Sequence, residues 1–225
     1  LIARDRTIGA ISAQSFQPRA FDESHRRLLE SLAGLIAVSL ENARLYEAAR
    51  RQLQELIVLK DIATAGTEAT TLDALITRVT EIVGDAFYSG NFGVLLIEQT
   101  TGDLVTHPSY RGKQGRVPPN AGITGRVAAT GQPWLAPDVS LEPAYLDSDE
   151  ASRSELCVPL RVGDQVIGVL NAESTLLAAF EETDQRLLVT IAGQLATAFE
   201  KVRLFEAEHA AREQSEALYE VARTL

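Results

Sequence analysis

The stretch IGVLNAES, Ile167 to Ser174, and its continuation AFEETDQRLLVTIAGQLATAFEKVRLFE, Ala179 to Glu206, occur twice in the chain. The earlier copy reads IGAISAQS, Ile8 to Ser15, and AFDESHRRLLESLAGLIAVSLENARLYE, Ala20 to Glu47, at a constant offset of 159 residues. Of the 41 positions from Thr7 to Glu47, 17 are identical, with no gap between the copies. An offset this long is far beyond solenoid periods of roughly 20–50 residues and indicates a duplicated domain. The phase then orders the chain. Residues 1–47 resemble the last strand and helix of a preceding domain, 48–65 a helical linker continuous with it, and 66–205 a complete copy. Residues 206–225 begin a further linker, because REQSEALYEVARTL (Arg212 to Leu225) is similar to RRQLQELIVLKDIATAG (Arg50 to Gly66). With no Met anywhere, including position 1, the expectation is a tandem array cut at both ends.

The segment from Asp22 to Ala65 contains no proline and one glycine, Gly34. Asp22 or Ser24 can cap its start, and Leu, Ala, Glu, Arg and Gln dominate the remainder, which predicts one long helix. A heptad fits it. Leu28, Leu35, Asn42, Ala49, Leu56 and Ala63 share one seam position; Ser31, Val38, Leu45, Gln52 and Leu59 share the other. Leu35, Asn42, Leu45, Ala49, Leu56 and Leu59 are therefore candidates for a homodimer seam and a relay helix. A single amphipathic helix packed on its own domain is the alternative.

A second helix is predicted over 72–87, then strands at 92–97, 104–110, 156–162 and 165–173, a short helix over 123–130, and a last helix from about 181 past 205. A strand is also expected at Ile8–Ala13, without partners of its own copy, so either mobile or borrowing an edge from another chain. The strands at 92–97 and 166–172 are apolar on both faces, so both faces of the sheet must be covered. The terminal helices can cover one. The long irregular segment 111–153 must cover the other, and a segment of that length usually builds a lid or pocket wall. The fold class is α+β: an antiparallel five- to six-stranded sheet with terminal helices on one face and a loop and short-helix pocket on the other.

Composition narrows the function. The 225 residues are 45% hydrophobic and 23% charged, an ordinary globular balance. The formal charge of −10 disfavours nucleic acid as a partner. No apolar run approaches the ~18 residues of a membrane span, so no direct membrane contact and a cytoplasmic location are expected. The single cysteine, Cys157, cannot form a disulfide within the chain.

The stretch NAGITGRVAATGQPWLAPDVSLEPAY, Asn120 to Tyr145, resembles the most characteristic segment of GAF domains, G-x-x-G-x-x-x-x-x-G-x-P followed by Asp-Val. Here those positions are Gly122, Gly125, Gly131, Pro133, Asp138 and Val139. SELCVPL (Ser154 to Leu160) and GVLNAES (Gly168 to Ser174) also match the family. The resemblance implies a sensory or dimerising module, often in tandem, upstream of an output domain such as a histidine kinase in two-component signal transduction. It also implies a ligand pocket whose occupant differs among members.

Several chemistries can be weighed on these residues. Cyclic-nucleotide-binding members carry Asn-Lys, then Phe, three residues, and Asp-Glu. This chain has Asn171, Phe180 and Asp184 but Ala172 and Gln185 at the other two places, so a cyclic nucleotide is the weaker alternative. Bilin attachment needs a thiol with a neighbouring His, and Cys157 has none near it in sequence. His107 is the one histidine off the terminal helices that could serve a haem or metal, and no zinc-type spacing exists. The free methionine sulfoxide reductases of this fold use several cysteines, which a single thiol does not supply. The chain is therefore expected to be no enzyme and to require no cofactor or metal. A small-molecule ligand is expected against Ile123, Trp134, Asp138, Val139, Tyr145 and Asn171. If those side chains fill the pocket themselves, the domain is instead a ligand-free dimerisation spacer.

Overall fold

The structure, a computed structural model, describes residues 1–4, 6–88, 90–142, 145 and 152–224, with side chains through 208 and at Arg212. Part of the expected pocket wall, 143–144 and 146–151, lies outside the described residues. The chain divides into two compact units, Leu1–Glu55 and Leu56–Leu225.

In the first unit, β1 (Ile2–Ala3) and β2 (Arg6–Thr7) form an antiparallel two-residue pair, turning through Arg4 at φ 46°. The strand expected at Ile8–Ala13 is not formed. Its sequence pattern is that of an inner strand, but no neighbouring strand offers it a hydrogen-bonding edge among the described residues, and a lone strand is not stable in water. Helix α1 (Glu23–Glu68) begins where the sequence indicated. Asp22 caps it, its Oδ1 accepting from the amides of Ser24 at 2.9 Å and His25 at 3.0 Å. Within this unit Leu28, Leu35, Val38 and Leu45 of α1 are all exposed.

The second unit holds the sheet. The last turns of α1 place Val58, Ile62 and Ala65 in its core. Helix α2 (Leu72–Ala86) is capped by Thr71, whose Oγ1 accepts from the Ala74 amide at 3.2 Å, and buries Leu75, Ile76, Val79 and Val83 along one face. Strands β3 (Phe92–Ile97), β4 (Leu104–Thr106) and β5 (Arg116–Val117) come after it. Helix α3 (Gly122–Thr130) comes next, closed by Gly131 in the left-handed conformation at φ 64°. Then come β6 (Trp134–Ala136), a 3-10 turn at Val139–Leu141, β7 (Ser154–Val162), β8 (Gln165–Ser174) and α4 (Glu182–Thr224). Six strands pair antiparallel in the order β5-β4-β3-β8-β7-β6.

The strand expected over 104–110 ends at Thr106, because Pro108 has no amide to continue the ladder and the chain turns there, the Tyr110 amide bonding the His107 carbonyl at 2.8 Å. The short strands β5 and β6 fall inside what the sequence shows only as an irregular segment.

Period two sorts the side chains to the two faces. Phe92, Val94, Leu156, Val158, Leu160, Leu170 and Ala172 face α1, α2 and α4 and pack with Leu187, Leu188, Ile191 and Leu195 of α4. Leu95, Cys157 and Val169 face the other way, under Ile123, Val127, Ala136 and Val139. Both faces are thus covered, the front one by α3 and its flanking loops.

Candidate functional site

The front face is not filled throughout. A cavity of about 280 Å³ opens between the sheet and the start of α3, at the lower end of the range for small-molecule pockets. Its floor comes from β7 and β8, where the antiparallel register sets Glu155 opposite Glu173 and Cys157 opposite Asn171. Residues two apart on a strand share a face, so two carboxylates, an amide and a thiol converge. All are buried: Glu155 is 4% exposed, Glu173 9%, Asn171 2% and Cys157 not at all.

Tyr110 reaches the same place from the turn after β4. Its hydroxyl donates to Glu173 Oε1 at 3.4 Å and accepts from Asn171 Nδ2 at 3.3 Å. Asn171 Nδ2 also donates to Glu173 Oε1 at 3.1 Å, and the Ser152 hydroxyl donates to Glu173 Oε2 at 2.6 Å. A carboxylate only accepts, so the amide nitrogen of Asn171 must face Glu173. That leaves Asn171 Oδ1 buried with no hydrogen-bond partner among the described residues. Burial first, and the neighbouring Glu173 second, push the Glu155 carboxyl up to about 8. Burial likewise pushes up the Tyr110 hydroxyl and the Cys157 thiol, with Glu173 and then other neighbours adding to the first and Glu155 and Glu173 to the second.

The opposite wall has the other sign. Gly122, Ile123 and Thr124, the first turn of α3, line the cavity, and Ala121 offers that turn no side-chain cap. Free first-turn amides and the helix dipole favour an anion there. Lys113 stands at the mouth and forms no ion pair among the described residues. Arg116, also at the mouth, is committed elsewhere, to Glu98 at 2.6 Å and Asp103 at 3.0 Å.

Of the six residues expected to bind a ligand, Ile123 and Asn171 line this cavity. Val139 is buried in the front core, and Tyr145 packs against that core. Trp134 lies under the Arg126 guanidinium, 3.6 Å from the ring centroid, and its Nε1 donates to Glu142 Oε1 at 3.2 Å. Asp138 caps the 3-10 turn, accepting from the Ser140 amide at 3.0 Å and hydroxyl at 2.6 Å; those bonds hold its carboxyl below the usual range. In the seam set, Leu35, Asn42, Leu45, Ala49 and Leu56 are spread along α1. Leu35, Leu45, Ala49 and Leu56 are exposed and Asn42 is exposed too, while Leu59 packs against the core of the second unit.

Phe180 and Asp184 serve structure. Phe180 meets the Tyr88 ring edge-on at 5.8 Å in the helix-side core, and Asp184 Oδ2 accepts from the Glu181 amide at 2.8 Å. His107 has both ring nitrogens engaged, Nε2 with Asp73 at 3.0 Å and Nδ1 with Ser109 Oγ at 2.9 Å. Among the described residues no group of three His, Cys, Asp or Glu side chains is placed to hold a metal ion.

Sequence reasoning missed Tyr110, Glu155 and Glu173. The latter two carry a signal: an acidic residue on an otherwise apolar strand, and one two places beyond Asn171 on the same face. The repeat adds a contrast, since Ser12 and Gln14 stand at the positions of Asn171 and Glu173 in the earlier copy.

An antiparallel α+β domain with a small two-signed cavity over its central strands defines a class of ligand-pocket domains. The sequence profile of the GAF domain matches residues 69–200, and the chain belongs to the GAF domain family. It is 34% identical over 131 residues to the free methionine-R-sulfoxide reductase of Escherichia coli, covering 57% of this chain and 73% of that protein. The solved structure of the free methionine-R-sulfoxide reductase from Neisseria meningitidis in complex with its substrate is 31% identical, with a TM-score of 0.62 over 65% of this chain and 89% of that one. A putative GAF sensor protein from Burkholderia vietnamiensis superposes with a TM-score of 0.63 at 24% identity, over 68% of this chain and 98% of that one.

These relatives correct the expectation that the chain is no enzyme. That expectation rested on the single cysteine, yet the Escherichia and Neisseria relatives, both above 30% identity, are reductases built on this fold. One thiol excludes an internal disulfide; it does not exclude chemistry supported by an external thiol.

Proposed function

We propose that this GAF domain binds a small zwitterion, a free amino acid of the methionine sulfoxide kind, and that its occupancy is relayed through α1 and α4. The observation that carries the reading is the buried acceptor set at one end of the cavity: Glu155, Glu173 and Asn171 Oδ1, the last without a partner among the described residues. An ammonium group has three donors and a positive charge, which that end supplies with acceptors and a negative field. The uncapped first turn of α3 and Lys113 suit the ligand's carboxylate. The Neisseria relative, crystallised with its substrate, supports the same ligand class.

The relay part of the reading draws on the exposed apolar residues Leu28, Leu35, Val38, Leu45 and Leu56 of α1, which suit pairing with the same helix of a second copy. Paired helices with polar seam positions such as Asn42 can hold two registers a few kcal/mol apart, which is what a switch requires.

Isothermal titration with L-methionine-(R)-sulfoxide, L-methionine and N-acetyl-methionine sulfoxide tests the pocket. The two amines should bind and the acetylated compound should not, because it lacks the ammonium. Equal binding of all three, or of none, defeats the reading. Free methionine measured in the same samples with dithiothreitol reads turnover separately.

A further inference from the structure

The floor of the cavity brings a second carboxyl against the first, and the two differ in their surroundings. Glu173 is held by Ser152, Asn171 and Tyr110. Glu155, opposite it across the β7–β8 pair and 4% exposed, has no cationic partner among the described residues. The groups that face Glu155 are Glu173 and Asn171 from β8, Cys157 from its own strand, Tyr110 from the turn after β4, and Glu142 beyond the 3-10 turn. Of these only Asn171 favours the ionised form. Two carboxyls in such a space hold a proton until a cation arrives. Asn171 Oδ1, buried beside them and without a hydrogen-bond partner among the described residues while both carboxyls are ionised, marks where a donor from outside would go.

We infer that ligand binding in this cavity is coupled to proton release: the incoming ammonium displaces the proton of the Glu155 carboxyl, which passes to solvent. The O–H bond of Glu155 breaks, its electron pair stays on the carboxylate, and the ligand's ammonium keeps its three protons and pairs with the anion formed. The inference rests on the amine-binding reading above and adds to it a pH dependence. Below the range in which Glu155 ionises, the ligand must displace a proton to bind. Above it the carboxylate is already present. The apparent Kd for L-methionine-(R)-sulfoxide should therefore fall as pH rises, by roughly tenfold or more from pH 6 to pH 8.

The decisive experiment is calorimetric titration of the whole chain with L-methionine-(R)-sulfoxide at pH 6.5, repeated in buffers of different ionisation enthalpy. At that pH the ligand's amine is protonated, so the slope counts protons leaving the protein. About one released proton per ligand is expected. Glu155→Gln keeps the shape of the protonated acid and should remove both the proton release and the pH slope. Binding by the unaltered chain without proton release, or with uptake, overturns the inference while leaving the amine reading intact. Absence of any binding heat at every pH, with no perturbation of the Asn171 side-chain amide in an NMR titration, sinks both.

Discussion

Gly66, near the end of α1, packs directly against Ala198 of α4. A Cβ at this position would lie 2.7 Å from Ala198 Cβ and 3.8 Å from Ala198 Cα. Ordinary carbon contacts are about 3.5–4.0 Å, so Gly66→Ala forces the two helices apart by on the order of 1 Å. Overpacking of this kind costs about 1–3 kcal/mol. Against it stands the gain of alanine over glycine in a helix, up to about 1 kcal/mol. Gly66→Ala should therefore destabilise by about 0–2 kcal/mol. Lys201 caps the same turn, its Nζ donating to the Gly66 carbonyl at 3.5 Å and the Thr67 carbonyl at 3.4 Å, and a helix pushed outward loses those bonds as well. Ala198→Gly alone loses about 1 kcal/mol of helix propensity, yet in the Gly66→Ala background it restores the missing space. Urea denaturation of the four proteins in a double-mutant cycle should give a favourable coupling of about 1–3 kcal/mol. Additivity within about 0.5 kcal/mol would mean that α1 and α4 do not bear on each other at this crossing, and the steric contact would be disproved.

Glu155→Gln should change stability with pH in a definite sense. The folded carboxyl is pushed up to about 8, whereas the unfolded one ionises near the ordinary 4.5. Between those values the folded chain holds a proton that the unfolded chain has released, so wild-type stability is full below the lower value and falls as pH rises through the upper one. The variant lacks that loss and should be the more stable protein at pH 9, by up to a few kcal/mol at about 1.4 kcal/mol for each tenfold change in the ionisation constant; denaturation midpoints at pH 5 and pH 9 check it. Cys157 is fully buried, so a thiol reagent should label it at least about a hundredfold faster in denaturant than in buffer. Cys157→Ala should cost about 1 kcal/mol in the same denaturation assay. If α1 pairs through its exposed seam, light scattering should find a dimer that Leu45→Asp with Leu56→Asp converts to monomer; an unaltered mass for the double variant contradicts the pairing.

Most of the second unit was legible because its signals are local and periodic. FGVLLI at 92–97 is bounded by residues that favour turns and is apolar throughout, so both its existence and its burial on two faces could be read. Asp22 announces the long helix by its capping chemistry, and the apolar spacing of Leu75, Ile76, Val79 and Val83 announces α2. What could not be read was pairing. Strand β6 is three residues long and exists because Leu135 and its neighbours find the edge of β7, a partner some twenty residues away. The absent strand at Ile8–Ala13 is the converse case, a fitting pattern with no edge to meet. The same limit hid most of the cavity. Ile123 and Asn171 sit in motifs that mark the family, but Glu155 and Glu173 become a pair only through the β7–β8 register, and Tyr110 joins them through a turn that Pro108 imposes. Trp134 and Asp138 carry chemistry that suits ligands equally well; in the structure it engages Glu142, Arg126 and Ser140.

Whether the cavity over β7 and β8 receives a small amine-bearing ligand is best decided by NMR. The isotopically labelled chain is titrated with L-methionine-(R)-sulfoxide while its backbone and side-chain amides are followed. Saturable shifts are expected at the Asn171 side-chain amide, at Tyr110 and at Gly122 to Thr124, which line the two ends of the cavity. Shifts confined to residues outside that set, or none at millimolar ligand, would contradict it.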